Sequence, residues 1–167
     1  MLLLRCLLRR PLKKRGFGFK RVDMDTFNLQ RFLDAQDEPL FSWVIEELKA
    51  GHKKGHWMWF IFPQAYGLGE SHNSKLYGIK SLEEAKEYWH HPLLGERLRQ
   101  CVGLVMDSNK SALEIFGKDI DVTKFQSCLT LFLKIDPNSQ LLQEALDQFF
   151  SGQLDEKTLA VIKKSNE

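Results

Sequence analysis

The sequence predicts an all-α fold, a compact single domain of roughly seven to eight helices around an aromatic-rich central segment. Three observations predict it. Apolar residues recur at helical spacing in most segments of the chain. Capping signals and Gly or Pro stops bracket those segments. The connections between them are short.

The first helix follows Thr26, a credible N-cap, with Phe27, Leu29, Phe32 and Leu33 at helical spacing. Pro39 suits the first turn of the second, whose inner face is Phe41, Val44, Ile45 and Leu48 and whose stop is Gly51. The chain then reaches its densest apolar block, His56-Trp57-Met58-Trp59-Phe60-Ile61-Phe62-Pro63-Gln64. It lacks strict alternation, so a short buried helix stopped by Pro63 is expected, with a buried strand as the alternative. A glycine-punctuated, hydroxyl-rich loop follows, from Tyr66 to Tyr77.

Ser81-Leu82-Glu83-Glu84 is a capping box opening a helix through Trp89, and His90-His91 before Pro92 marks a turn. Pro92 starts a helix with Leu93, Leu94, Leu98, Val102, Val105 and Met106 as its core stripe. Ser111-Ala112-Leu113-Glu114 is a second capping box, closed by Gly117. Asp121 is expected to cap an apolar helix carrying Val122, Phe125, Leu129, Phe132 and Leu133. After Pro137, Ser139 opens a helix with Leu142, Leu146, Phe149 and Phe150, and Asp155 caps the last, with Leu159 and Ile162 inward. There is no internal repeat and no low-complexity tract.

Composition agrees with an ordinary globular chain: 43% hydrophobic and 28% charged over 167 residues. Cys6, Cys101 and Cys128 are odd in number and widely spaced, so neither a disulfide framework nor a metal-ligand pattern is expected. The net charge of +2 hides an asymmetry. Eight basic residues precede the first acid, Asp23. The rest keeps sixteen of the 24 basic side chains against 22 acidic ones, a net of −6. Such a body is a poor nucleic-acid binder, and no nucleic-acid partner is expected.

Residues 1–22 form a basic N-terminal extension, and residues 23–167 the all-α domain. Leucines and arginines without acid suit either a mitochondrial targeting segment or a disordered extension with Met24 as the natural start. The apolar run is too short to span a membrane. A cytoplasmic location is expected, with the mitochondrial matrix as the alternative if the extension is a transit peptide.

Four blocks resemble a known family, the domain of unknown function 1810. They are His56 to Gln64; Gly67-Leu68-Gly69-Glu70-Ser71 with Ser74 and Tyr77-Gly78-Ile79; His91 to Leu98; and Ile115-Phe116-Gly117 with Asp121, Lys124, Ser127 and Thr130-Leu131-Phe132. The similarity covers roughly residues 25 to 162. Residues 1–22 have no counterpart in the pattern, and Cys128-Leu129 stands where a small residue and a methionine are usual. The resemblance implies a compact, mainly α-helical protein and brings no established activity.

The candidate chemistry therefore comes from the residues. His56 is the catalytic candidate. An imidazole titrates near neutrality and can act as general acid or base, or else it merely bonds a backbone group. Gln64 can donate and accept, to a ligand or to the backbone freed by Pro63. Gly67 and Gly69 permit a tight backbone path, and with Ser71, Ser74 and Lys75 they are a candidate anion-binding concavity, or an ordinary turn. Neither a Walker motif nor a dinucleotide fingerprint is present, and no cofactor or metal site is expected. Lys124 and Ser127 share a helix face; Lys124 pairs with Asp121 at the surface or faces the pocket as a cation. Tyr77 completes the ligand-binding set. The reading is a small-ligand binding protein or enzyme with a polar pocket for an anionic or nucleotide-like ligand, such as an ADP-ribose derivative. The alternative is a non-catalytic protein-interaction module. Convergence of His56, Ser71, Tyr77 and Lys124 on a cavity separates the two.

Overall fold

The computed structural model describes residues 25–165, which form ten α-helices and a single isolated bridge. The helices are α1 (Gln30–Ala35), α2 (Leu40–Lys49), α3 (Met58–Ile61), α4 (His72–Tyr77), α5 (Leu82–His90), α6 (Leu94–Asp107), α7 (Ala112–Phe116), α8 (Asp119–Ile135), α9 (Gln140–Phe150) and α10 (Glu156–Ser165). The all-α expectation holds; the number of helices exceeds the seven to eight expected. One reason is local. The stretch expected as a loop after Pro63 contains α4, because the Ser71 hydroxyl accepts the Ser74 N–H at 3.1 Å and starts a turn there. The basic extension 1–22 and Cys6 lie outside the described residues.

The longest helix, α8, runs through the centre and packs on α3, α5, α7, α9 and α10. Its run from Ser127 to Phe132 is buried without a break, as befits a helix enclosed on most sides. Aromatic rings fill the space around it. Phe125 sits 4.9 Å from Phe62 and 5.2 Å from Phe116, and Phe149 and Phe150 close the group from α9. Offset and edge-to-face rings of this kind add to the burial of their area. The central block folds as expected, as one buried helical turn, α3, ended before Pro63. Cys101 and Cys128 are buried free thiols. Burial pushes the Cys101 thiol up to about 12 and raises Cys128 as well, which disfavours the thiolate at both.

Three expected caps differ. Asp25, not Thr26, receives the N–H groups of Leu29 and Gln30, at 2.6 and 2.8 Å, one on each oxygen of its carboxylate. Helix α8 begins at Asp119, so Asp121 lies inside its first turn with its side chain turned to lysines. Ser81 caps α5, but Glu84 does not close the box. Its carboxylate takes the Lys80 N–H and pairs with Arg31 in the interior. Arg31 also donates to the carbonyls of Phe27, Asn28 and Leu76, tying α1 to the end of α4. Ser111 and Glu114 do form the full capping box, and Gly117 closes α7 at φ +71°.

One feature positions the site. Ala65 and Ile79 pair as a parallel bridge: the Tyr66 N–H donates to the Ile79 carbonyl at 2.7 Å and the Ile79 N–H to the Gln64 carbonyl at 2.9 Å. These bonds staple the two ends of the loop that carries α4. No described helix is long and apolar enough to cross a membrane.

Candidate functional site

Four pieces of chain surround a cavity of about 360 Å³. Trp59 comes from α3, and Gln64, Leu68, Gly69, Glu70, Ser71 and Ser74 from the stapled loop. Ile120, Thr123, Lys124 and Ser127 come from α8; their spacing of three, four and seven puts them on one face. Asp155 and Lys157 close the cavity at the start of α10.

Within it, the Ser71 and Ser74 hydroxyls lie 2.7 Å apart and share a hydrogen bond. A Cβ on Gly69 would stand 2.7 Å from the Ser74 hydroxyl, so the absence of a side chain there makes room for it. The Gln64 side-chain N–H donates to the Phe62 carbonyl at 3.2 Å, which is the backbone duty next to Pro63. Ser127, buried, donates to Asp155 at 2.9 Å. The same carboxylate oxygen also accepts the Thr158 N–H and hydroxyl, so Asp155 is committed as the cap of α10.

Trp59, Ile120 and Lys124 also wall a second cavity, of about 320 Å³. Its other lining includes Lys53, Lys54, His56, Lys118 and Asp121. Asp121 is held at 2.9 Å by Lys53 on one oxygen and by Lys124 on the other. Burial alone would raise its carboxyl, but the two lysine hydrogen bonds outweigh that and hold it below the ordinary value. The Lys124 ammonium stands 4.3 Å from the centre of the Trp59 ring, and Lys53 stands 5.3 Å from that of Trp57. The Trp59 indole N–H is buried and has no hydrogen-bond partner among the described residues.

The loop bearing His56 is fixed from α2. Glu47 accepts the Lys54 N–H at 2.8 Å, the Gly55 N–H at 3.0 Å and the Trp57 indole N–H at 2.7 Å. Burial opposes ionisation of this carboxyl too, but those donors dominate and lower it.

Of the residues expected to form the site, Gln64, Gly69, Ser71, Ser74, Lys124 and Ser127 line the first cavity together. Tyr77 lies one step away, in a crevice of about 10 Å³ shared with Gln64, Gly69 and Ser74, and its ring packs on Phe32 and Phe60. His56 lies on the other side of Trp59, in the second cavity, where it is exposed and makes no hydrogen bond among the described residues. Lys75 pairs with Glu70 in solvent and lines neither cavity. Lys124 does both things weighed for it, since it pairs with Asp121 and borders both cavities, and it does so largely out of solvent. Sequence reasoning did not find Lys53, Lys54, Lys118 or Asp155 as site residues. The adjacent Lys53-Lys54 pair was the available signal, but only the fold brings it to the start of α8. No group of three or more His, Cys, Asp or Glu side chains among the described residues is placed to hold a metal ion.

The family described as Protein of unknown function (DUF1810) matches residues 26–162. The chain is also similar to the conserved hypothetical protein Rv1873 from Mycobacterium tuberculosis, known from a crystal structure. The two are 46% identical and superpose with a TM-score of 0.79, over 83% of this chain and 99% of that one. No curated protein matches the chain.

Proposed function

For a chain that belongs to the family described as Protein of unknown function (DUF1810), we propose a function read from the cavities: binding of a small, polar, anionic ligand of nucleotide type. The observation that carries it is the gathering of Gln64, Ser71, Ser74, Lys124 and Ser127 around one cavity of about 360 Å³, a size suited to a small metabolite. Of the four residues whose convergence separates this reading from an interaction module, only Ser71 and Lys124 share that cavity; His56 and Tyr77 lie outside it. Hydroxyl and amide groups there suit the hydroxyls of a sugar. Trp59, Leu68 and Ile120 supply apolar walls against which a ring can lie. Lys124 supplies a positive charge that is desolvated and held in place, so it acts more strongly than a surface lysine. An ADP-ribose derivative is one ligand of this description.

Binding is favoured over turnover. The hydroxyl of Ser127 is already given to Asp155, whose carboxylate is occupied as a helix cap. His56, the catalytic candidate, has no hydrogen-bond partner among the described residues to fix its ring or tautomer, and a general base needs that orientation.

The test is a thermal-shift and calorimetry panel of nucleosides, nucleotides and sugar phosphates against the full chain. A ligand at 100 times its dissociation constant adds about 2.7 kcal/mol of stability. The expected outcome is a hit weakened by Ser74→Ala and by Lys124→Met. A hit that neither change weakens, or a panel without any hit, would overturn the proposal.

A further inference from the structure

The second cavity carries a charge that the first does not. Lys53, Lys54, Lys118 and Lys124 line it with His56, against the single carboxylate of Asp121. Both oxygens of Asp121 are already taken, one by Lys53 and one by Lys124. Lys54 and Lys118 make no ion pair among the described residues. The cavity therefore keeps an excess of positive charge, although the chain beyond residue 22 carries a net of −6. Concentrating cations at one point of an acidic body raises the local concentration of small anions.

Two of these cations are pre-organised. Lys53 and Lys124 are pinned by Asp121 and by the faces of Trp57 and Trp59, so little side-chain freedom remains to be lost when an anion arrives. At about 320 Å³ the cavity holds the volume of roughly ten waters, room for more than one phosphate group. Helix α8 starts beside it, and its positive end adds in the same sense, but the lysine side chains are what make the site.

The cavity also adjoins the first along Trp59, Ile120 and Lys124. We propose that it is a phosphate subsite, and that the ligand is a diphosphate ester whose hydroxyl-bearing organic part occupies the first cavity while its diphosphate crosses the Trp59–Lys124 wall into the second. The assignment of the organic part rests on the reading above; the phosphate subsite has its own test.

Inorganic pyrophosphate is titrated calorimetrically into the full chain, at low and at moderate salt, beside the Ser74→Ala and Lys54→Gln/Lys118→Gln variants. Circular dichroism checks that each variant is folded. The expected result is binding by the wild-type chain that weakens as salt rises. The double lysine variant should bind at least about tenfold more weakly, and Ser74→Ala should bind unchanged. No pyrophosphate binding at low salt, or equal binding by the double variant, would overturn the subsite. The two proposals can fail separately. If a nucleoside binds through Ser74 while pyrophosphate does not bind, the first cavity stands and the subsite falls. If pyrophosphate binds through Lys54 and Lys118 while no nucleoside or nucleotide senses Ser74→Ala, the subsite stands and the first reading falls.

Discussion

The ammonium of Lys124 lies 4.3 Å from the centre of the Trp59 ring, on the wall that separates the two cavities. The same ammonium donates to Asp121 at 2.9 Å. One side chain thus joins the aromatic block, the start of α8 and both candidate subsites. Lys124→Met keeps the aliphatic cover over the indole and removes the charge. It is expected to cost about 1–2 kcal/mol in urea denaturation, the range of a partly desolvated cation–π contact, and to weaken anion binding. A variant as stable as the wild type would mean that the pair contributes nothing to the fold.

Acid should loosen the loop that carries His56. The carboxyls of Glu47 and Asp121 are lowered from their ordinary values of 4.5 and 3.8. A lowered carboxyl contributes stability that is fully present above its unfolded value and is lost as the pH falls through its folded value. The loss therefore begins near pH 4.5 and continues below 3.8. Glu47→Gln should make unfolding less dependent on pH in that window while lowering stability near neutrality by about 1.5–3 kcal/mol, the worth of hydrogen bonds to a charged acceptor. Unchanged pH dependence in the variant would remove Glu47 from this account.

The ion pair of Arg31 and Glu84 is out of solvent, with side-chain exposures of 11% and 3%. Glu84→Ala strands the guanidinium and also frees the Lys80 N–H. A loss of about 3–5 kcal/mol is expected, as for a buried pair broken on one side. Arg31→Met/Glu84→Leu should recover part of it, since replacing both partners removes the uncompensated charge. Chemical denaturation of the single and double variants measures both.

Gly69→Ala separates the cavity from the fold. The new Cβ meets the movable hydroxyl of Ser74 at 2.7 Å, not backbone, so the effect on stability should stay within about 1 kcal/mol. Displacing that hydroxyl should nonetheless weaken a first-cavity ligand by about tenfold, the scale of one lost hydrogen bond to a bound partner. Calorimetry with the ligand found in the panel decides it.

A core change shows the opposite pattern. Phe125 touches Phe62, Phe116, Phe149 and Phe150 and is fully buried. Phe125→Ala should cost about 3–5 kcal/mol, because the surrounding rings cannot collapse into the gap. A midpoint shift in denaturant is the measure, and a cost below 1 kcal/mol would deny Phe125 its place at the centre of the packing.

By itself the sequence determined the helical class, most helix positions and six of the residues that line the first cavity, Gln64, Gly69, Ser71, Ser74, Lys124 and Ser127. These follow from local rules. Apolar spacing sets which face of α2, α6 and α9 is buried, and Ser111 with Glu114 or Gly117 acts within one turn. Lys124 and Ser127 share a face by helical period alone. The tertiary structure decided the rest, because it depends on pairs far apart in the chain. Lys53 meets Asp121 and Arg31 meets Glu84 only when separate helices dock. Glu84 leaves its capping box because its carboxylate is held by Arg31 on one oxygen and by the Lys80 N–H on the other. His56, the most conspicuous polar residue of the aromatic block, ends up across Trp59 from the serines because the Glu47 bonds hold its loop on that side. Spacing along a chain specifies a face; which faces meet is set by burial and charge compensation over the whole core.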